Sequence, residues 1–330
     1  MERHFFPGAN TPIGFYNNFG QVSDYREKGK AIHIKGGSGC GKSTLMKNIA
    51  NRAKEKGYEV EYMHCSSDPD SLDGIHIVDK NYVVFDSTSP HMQDPMLVSA
   101  GEISFDTADF LDRKMLEESR EDILKLINSK KRGFLDCYRY LSAAQLLYPK
   151  EREINIRLIN NIAGMYDPKP RFGNTGKERH LFATAITPTG HKSYLDTILE
   201  DRVVGITDGA GTSELLREIN RRARVNGYDT DLYFCPMFPD KKLEHLVVRG
   251  ADISFTTLNK YHDYEKIDEK VKMPEKGVLS REFDSLLMLA QNSLKNAKQK
   301  HSEIEKIYIN AMDFDKMNTQ LEKLYEFLEV

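Results

Sequence analysis

The sequence predicts an α/β protein made of two tandem domains of one fold, each a mainly parallel β-sheet flanked by helices. Three observations lead to this prediction. Apolar strand patterns alternate with amphipathic helix patterns, a glycine-rich turn joins a strand to a helix in each half, and segments of the first half recur in the second. Alternation of strands with helices favours parallel pairing, because a parallel crossover needs a connection of helix length.

Two segments recur in the same order along the chain. RHFFPGANTPIG, beginning at Arg3, returns as RHLFATAITPTG at Arg179, with seven of twelve positions identical. NRAKEKGYEVEYMHCSSDPD, beginning at Asn51, returns as RRARVNGYDTDLYFCPMFPD at Arg221, 170 residues later against 176 for the first pair. Chance similarity rarely keeps one register over such a length, so we interpret the chain as a tandem duplication.

The seam between the copies is predicted in YDPKPRFGNTGKE, residues 166–178, where two prolines and two glycines separate periodic segments. We therefore predict a first domain over residues 1–168 and a second over residues 169–330. The length of 330 residues agrees, since domains average about 150 residues.

One order of elements is predicted for both halves. A short strand ending in Thr-Pro-x-Gly leads through a short helix to an apolar strand, AIHI or RVVGI. The glycine-rich turn and its helix follow, then further strands and long closing helices. In the last helix apolar residues recur every three or four positions, and His301 lies on the same stripe, where we expect it to pack.

Composition excludes several classes of protein. The net charge of −3 gives no overall field that would favour nucleic acid or an anionic membrane surface. No apolar run approaches the roughly 18 residues of a membrane span, and a signal-peptide pattern is absent, so we expect a cytoplasmic protein. Four scattered cysteines without CxxC spacing predict reduced thiols.

The glycine-rich turn of the first half, GGSGCGKST, is the most specific signal in the chain. It satisfies G-x-x-x-x-G-K-S, follows an apolar strand and opens a helix pattern, as a phosphate-binding loop requires. Its glycines let backbone N–H groups converge on phosphates, and the helix start adds a positive dipole end. The predicted nucleotide-binding residues are Gly36, Gly37, Ser38, Gly39, Cys40, Gly41, Lys42, Ser43 and Thr44.

Mg²⁺ is the expected cofactor of a bound nucleotide, and two residues are predicted to hold it. Ser43 offers a hydroxyl, and Asp86 offers a carboxylate at the end of the apolar strand YVVFD. We prefer Asp86 to Asp79, because Asp-Lys-Asn after IHIV is typical of a hairpin turn. The predicted catalytic residues are Asp86 and Lys42, which places a cation at the β- and γ-phosphates.

The residue after this aspartate is Ser87, where many ATPases that polarise a water have glutamate. Either hydrolysis is slow, another group orients the water, or the acceptor is not water. Candidate groups lie in SSDPDSLDG and STSPH, although a solvated acidic loop is the commoner role of such carboxylates. These candidates are Asp68, Asp70, Asp73 and His91.

Two further sets of residues have an open role. In SKKRGFLDCYRYL, Arg139 or Arg132 would suit a contact to the γ-phosphate, with surface charge the commoner role of these and of Lys130 and Lys131. The Arg-His-x-Phe…Thr-Pro-x-Gly element persists in the half that lacks the loop lysine. We therefore interpret its residues as mainly architectural, fixing the contact between halves; they are Arg3, His4, Thr11 and Pro12.

These motifs give the chain a family resemblance. GGSGCGKST and VVFD resemble P-loop NTPases, and the paired HFF…A.TP.G and HLF…A.TP.G segments resemble a bacterial family of tandem P-loop ATPases, as do FDSTSPH, CYRYLSAA and NAMDF. The resemblance implies two P-loop NTPase-like domains with ATP as ligand and Mg²⁺ as cofactor. Members of that family usually keep a lysine in both loops, whereas this chain keeps it only in the first.

GITDGAGTSELLREI, residues 205–219, is the matching segment of the second half. At an offset of 170 residues its two later glycines and its serine match the first loop. Chemically important positions differ, and the carboxylates Asp208 and Glu214 would repel phosphate. The replacements are Lys42 by Thr212, Gly36 by Ile206, Thr44 by Glu214 and Asp86 by Thr256.

The leading functional hypothesis is an ATP- and Mg²⁺-binding ATPase whose first half turns over nucleotide and whose second half is an inactive structural or regulatory copy. Alternatives are a nucleotide or small-molecule kinase and a nucleotide-sensing scaffold without turnover. The sequence has no Asn/Thr-Lys-x-Asp guanine-reading motif and no nucleic-acid-binding motif. A protein partner or a homo-oligomer stays open.

We predict that one nucleotide triphosphate binds per chain. Loss of the loop lysine removes a charge-assisted contact of about 1.5–3 kcal/mol, or about ten- to a hundredfold in affinity. Equilibrium dialysis with labelled ATP measures the stoichiometry, and two sites of similar affinity per chain would contradict the prediction.

Overall fold

The computed structural model of the chain describes residues 2–91, 94–149, 154–171, 173–262 and 264–330. The strands of the first half are β1 (Glu2–Phe5), β2 (Gly8–Thr11), β3 (Gly14–Asn17), β4 (Lys30–Lys35), β5 (Val60–Cys65), β6 (Asp68–Ile77), β7 (Tyr82–Asp86) and β8 (Glu102–Asp106). Its helices are α1 (Tyr25–Lys28), α2 (Lys42–Glu55), α3 (Arg113–Glu118), α4 (Arg120–Leu146) and α5 (Ile156–Gly164).

The second half repeats this order of elements. Its strands are β9 (Glu178–Leu181), β10 (Thr184–Thr187), β11 (Gly190–Ser193), β12 (Arg202–Thr207), β13 (Thr230–Cys235), β14 (Phe238–Val248), β15 (Ile253–Leu258) and β16 (Glu269–Val271). Its helices are α6 (Leu195–Ile198), α7 (Thr212–Val225), α8 (Arg281–Ala311), α9 (Phe314–Asn318) and α10 (Leu321–Leu328).

Each half contains one six-stranded sheet, and the two sheets have the same topology. The strand order is β1-β5-β6-β7-β4-β8 in the first and β9-β13-β14-β15-β12-β16 in the second. All neighbours are parallel except β6 and β14, which run antiparallel to both of theirs. The predicted α/β architecture of two mainly parallel sheets flanked by helices is confirmed. The edge strands β8 and β16 and the hairpins β2–β3 and β10–β11 were not predicted.

The strand that leads into the loop has the pattern expected of a central parallel strand. In KAIHIK the four middle residues are buried on both faces, and β7 and β8 pair on either side of it. Strands covered on both faces read as continuous apolar runs rather than alternating ones. The same holds for RVVGIT of β12, so both loops leave the middle of a sheet at its carboxyl edge.

Helices are exchanged between the halves. Leu321, Leu324 and Leu328 of α10 belong to the core of the first sheet, with Ile32 and Ile34 of β4. In return, Ile159 and Ala163 of α5 pack in the core of the second sheet. The long helices α4 and α8 pack against each other between them. Each sheet is therefore covered in part by a helix from the other copy.

A local two-fold relation joins the copies at the duplicated Arg-His-x-Phe element. The N–H of Phe6 donates to the carbonyl of Phe182 at 2.9 Å, and the N–H of Phe182 donates back to Phe6 at 3.0 Å. Thr11 and Thr187 form equivalent turns, with their hydroxyls donating to the carbonyls of Gly14 and Gly190. This reciprocal pairing agrees with an architectural role for the element.

Buried ion pairs cross the same contact. Arg179 donates to both Glu61 oxygens, at 2.8 and 3.0 Å, and to both Asp231 oxygens, at 2.7 and 2.9 Å. Arg3 lies 3.7 Å from Glu61 and 3.3 Å from Glu200. The repeated arginines thus neutralise carboxylates of both halves, in agreement with the architectural interpretation.

His4 and Pro12, from the same duplicated element, form hydrogen bonds through their backbone atoms. The backbone N–H of His4 donates to the hydroxyl of Thr197 in the second half at 3.0 Å, and the carbonyl of Pro12 accepts from Ser142 at 2.6 Å. Within the described ranges, no helix is long and apolar enough to cross a membrane.

We predict that Arg179→Met lowers the free energy of unfolding by about 2–3 kcal/mol. Glu61 and Asp231 would lose four hydrogen bonds to the guanidinium, although Arg249 would still pair with both carboxylates. Urea denaturation followed by circular dichroism measures the change. Arg221→Met is the matched control, since Arg221 pairs with Glu218 on the surface with its side chain 61% exposed, and it should cost less than about 1 kcal/mol. Equal effects of the two substitutions would contradict a stabilising role for the buried network.

Candidate functional site: a glycine-rich loop covered by the other half

The first-half loop spans the six residues between the end of β4 at Lys35 and the start of α2 at Lys42. Gly36, Gly39 and Gly41 have φ angles of 140°, 77° and 78°, which favour glycine. A Cβ at Gly36 would also lie 1.8 Å from the Thr107 hydroxyl oxygen. The glycines therefore set the path of a loop whose backbone turns tightly into the helix.

The predicted charged and hydroxyl residues come together at this loop. Lys42 Nζ donates to the carbonyls of Gly36 and Gly37, at 2.9 and 2.6 Å, and lies 3.6 Å from Asp86 Oδ2. Ser43 Oγ accepts the N–H of Leu72 at 3.0 Å. The lysine predicted to bind phosphate and the two residues predicted to bind Mg²⁺ thus share one edge of the sheet.

Asp79 lies at the opposite end of β7. It belongs to a 3₁₀ turn, Val78–Lys80, and its carboxylate accepts the N–H of Glu59 at 2.6 Å. The predicted turn is confirmed, and the preference for Asp86 over Asp79 agrees with this placement. Thr44 is exposed in the first turn of α2, and Cys40 is buried, with burial raising the pKa of its thiol.

The two loops differ in how their backbone N–H groups are used. In the second loop, the N–H of Gly209 donates to Thr212 Oγ1 at 3.0 Å, and that of Ala210 donates to the carbonyl of Pro274 at 2.8 Å. The matching N–H groups of Gly39 and Cys40 donate to no protein acceptor among the residues that the structure describes. The first loop therefore presents donors that a phosphate would satisfy.

The second loop is also shorter than the first. Residues before and after it therefore do not match the first half at one constant offset of 170 residues. Ile34 pairs with Asp86 across the first sheet, and Ile206 pairs with Thr257 across the second. The counterpart of Asp86 is therefore Thr257 rather than Thr256, and Ile206 matches Ile34 rather than Gly36. Between strand and helix the second loop has four residues, against six in the first.

Thr212, the counterpart of Lys42, closes this shorter loop on itself. Its hydroxyl donates within the loop, to the carbonyl of Thr207 at 2.9 Å. Asp208, expected to repel phosphate, is instead paired with Lys242 at 3.3 Å and with Lys276. Ser213 keeps the bond that Ser43 makes, accepting the N–H of Leu243 at 2.9 Å. The hydrogen bond to β14 is thus sufficient to explain why the second half retains this serine, without metal binding.

Helix α8 of the second half covers the first loop. A Cβ at Gly37 would lie 2.5 Å from the Tyr308 ring, and one at Gly39 would lie 2.7 Å from the Glu305 carbonyl. The helix sits so close because these positions carry no side chain. The candidate site is therefore built by both copies.

A lysine and a histidine meet above the loop. Lys130 Nζ lies 3.1 Å from His301 Nδ1, and the Ser38 hydroxyl lies 3.3 Å from the same nitrogen. Burial, with Lys130 and Lys42 nearby, lowers the pKa of His301 to about 4, so its imidazole is neutral at pH 7. Burial lowers the pKa of Lys130 too. His301 is thus a hydrogen-bonded packing histidine, as expected, but the exchange of helices places it at the loop, which the sequence did not indicate.

The two arginines considered for a phosphate contact lie on the surface, in agreement with surface charge as their expected role. Arg139 pairs with Asp136 on its own helix with its side chain 77% exposed. Arg132 and Lys131 are exposed. Lys130 is the member of this group that reaches the loop, and the repeat of every three to four residues along α4 places its neighbours on the other face.

Asp73 and His91 are the water-orienting candidates that lie at the site. Asp73 precedes Gly74, which pairs with Phe85, so it lies across from Asp86 at the same sheet edge. Its carboxylate is 3.6 Å from His91 Nε2. Burial raises the pKa of Asp73 to about 6; His91 opposes this rise and Asp86 adds to it.

Asp68 and Asp70 have other surroundings. Asp68 Oδ1 accepts from Lys298 Nζ at 2.5 Å, and Asp70 is exposed, with its backbone carbonyl accepting from Lys47. Ser87 is turned away from the loop toward His33, 3.0 Å from its ring nitrogen.

Comparison of the chain with protein-family models, with curated proteins and with solved structures gives no match. The resemblance to tandem P-loop ATPases therefore rests on the sequence motifs alone.

We predict that Gly39→Ala destabilises the chain by at least about 1 kcal/mol more than Gly57→Ala. Both glycines have left-handed φ angles, 77° and 83°, so both substitutions carry a similar backbone strain of about 1–2 kcal/mol. The added methyl meets α8 only at Gly39, since nothing lies within 4 Å at Gly57. Chemical denaturation of both variants measures the difference, and equal losses would show that α8 does not pack on the loop.

Proposed function

We propose that the first half binds ATP with Mg²⁺ and hydrolyses it, and that the second half is an inactive copy that completes the site through α8. The observation that carries this proposal is the difference between the loops. The first loop has N–H groups without a protein acceptor among the described residues and a lysine at the helix start, whereas the second uses the matching N–H groups internally and is two residues shorter and without the lysine.

The residues around the first loop fit a nucleotide triphosphate. Lys42 would move from the carbonyls of Gly36 and Gly37 to the β- and γ-phosphates, where its charge is better compensated. Ser43 and Asp86 would hold Mg²⁺, which neutralises phosphate charge when bound. Lys130, whose Nζ lies 3.1 Å from the neutral imidazole of His301, would add a second cation.

The chain also offers a candidate base for the water that would attack the γ-phosphate. Asp73 is a buried carboxylate with a pKa near neutrality, oriented by His91 and placed beside Asp86. It would take the proton from water as the water oxygen bonds to the γ-phosphorus and the bond from phosphorus to the ADP oxygen breaks. This arrangement compensates for the absence of a glutamate at position 87.

Phosphate release and ADP formation, measured in parallel, test the proposal. Lys42→Ala should abolish turnover, and Lys130→Met should weaken ATP binding about ten- to a hundredfold through loss of a charge-assisted contact. Lys131→Met is the matched control. Lys131 is the next residue on α4, but it is exposed, so its substitution should leave ATP binding unchanged.

Two outcomes would replace the proposal. ADP formed only in the presence of a nucleoside or another hydroxyl acceptor would make the protein a kinase. Tight ATP binding without any ADP would make it a nucleotide-sensing scaffold.

We predict that the rate of ATP hydrolysis rises as the pH increases through about 6 and is level above it, because Asp73 accepts a proton only when ionised. Asp73→Asn should slow turnover by at least about a hundredfold and remove this pH dependence. Asp70→Asn is the control, since Asp70 is exposed and should keep both rate and profile. A profile unchanged in Asp73→Asn would exclude Asp73 as the base.

A further inference from the structure

A second cluster of polar side chains lies in the half that has lost its phosphate loop. Glu244 and His245 are neighbours on β14, and His262 follows the end of β15. One possible ligand atom of each lies within 4.8 Å of those of the other two. All three side chains are almost fully buried, with Glu244 and His245 3% and 1% exposed.

The hydrogen bonds of the two histidines leave one nitrogen of each directed into the cluster. His262 Nδ1 lies 2.7 Å from the carbonyl of Thr257, so this nitrogen carries a proton and Nε2 is the ring nitrogen that faces Glu244. His245 Nδ1 lies 2.8 Å from the hydroxyl of Thr256, while its Nε2 is buried with no hydrogen-bond partner. A buried polar atom without a partner costs about 1–3 kcal/mol.

One oxygen of the Glu244 carboxylate lies next to a ring nitrogen of His262. Glu244 Oε2 lies 3.1 Å from His262 Nε2, so one carboxylate oxygen and one imidazole nitrogen are adjacent in the cluster. Glu244 Oε1 is already occupied by Lys242 Nζ at 2.7 Å. Ligands of a tetrahedral zinc ion, about 2.0–2.1 Å from the metal, lie about 3.4 Å apart. The separation of Glu244 and His262 is close to this value.

The first half has a comparable carboxylate and histidine, Asp73 and His91, 3.6 Å apart, but it has no counterpart of His245. The strand registers place Asp73 and Gly74 opposite Glu244 and His245, and a side chain at Gly74 would collide with the carbonyl of Val84, 2.9 Å from its Cβ. The second half has therefore gained a histidine at a position where the first has none. Nucleotide chemistry cannot account for this gain, because the adjoining loop is closed.

A cavity of about 70 Å³ adjoins the cluster. Glu244 and His262 form part of its wall, together with His191, Cys235 and Tyr148. A metal held by three protein ligands beside such a space has a position left for water or another ligand, as in catalytic rather than structural zinc sites.

We propose that Glu244, His245 and His262 bind one Zn²⁺ ion, with its remaining coordination position open to this cavity. Two imidazole nitrogens and a carboxylate form a ligand set that zinc prefers, and the carbonyl of Thr257 holds one imidazole in the ligating tautomer. The lysine on the second carboxylate oxygen fixes the orientation of Glu244. This site is independent of the nucleotide site proposed for the first half.

Zinc titration of the full chain tests the site. The protein is stripped with EDTA, passed into metal-free buffer and titrated with Zn²⁺ against a chromophoric chelator. We expect one equivalent to bind, and His245→Asn and His262→Asn each to weaken binding at least tenfold. His191→Asn, which changes a histidine of the same cavity outside the ligand set, should bind as the unaltered chain does.

Two further measurements distinguish this site from another zinc site and from loss of folding in the variants. Cys65→Ser with His91→Asn removes the other possible cluster, Cys65, Asp73 and His91, and should leave zinc binding unchanged. X-ray absorption of the zinc-loaded unaltered chain should show nitrogen and oxygen neighbours without sulfur, which needs no variant to fold. Absence of stoichiometric zinc, sulfur in the coordination shell, or full binding by His245→Asn and His262→Asn would overturn the proposal.

Discussion

The close packing of α8 on the glycine loop is the contact on which the rest of the structure depends. Gly37 and Gly39 lie against Tyr308 and Glu305, so neither glycine can carry a side chain without moving the helix. The helix belongs to the second copy, and α10 beyond it completes the core of the first sheet. One set of short contacts therefore joins the candidate site to the interface between copies and to the hydrophobic core.

Local sequence patterns predicted much of the fold and the chemistry near the loop. The duplication, the central strands and the placement of Lys42, Ser43 and Asp86 at one sheet edge follow from local periodicity and from a loop whose backbone demands glycine. The exchange of helices could not be predicted, because an apolar stripe shows that a helix packs without showing against which sheet. For this reason Lys130 and His301 were assigned to surface and core.

The alignment of the second loop with the first shows a second limit of prediction from sequence. Counting residues at a constant offset aligned Asp86 with Thr256, whereas strand pairing aligns it with Thr257. Deletions of two residues cannot be seen where glycines recur at short intervals, since several alignments match equally well. Only hydrogen-bond register fixed which residues had been lost, and with them the donors that a phosphate would need.

The exchanged helices carry a consequence for how such a chain arose. A single copy with this arrangement would leave part of its sheet uncovered until a second copy supplied the missing helix. Joining two copies in one chain makes that pairing intramolecular and raises the effective concentration of one copy around the other. In one chain the two copies need not stay identical, so the loops and the position of His245 can differ while each half still completes the core of the other.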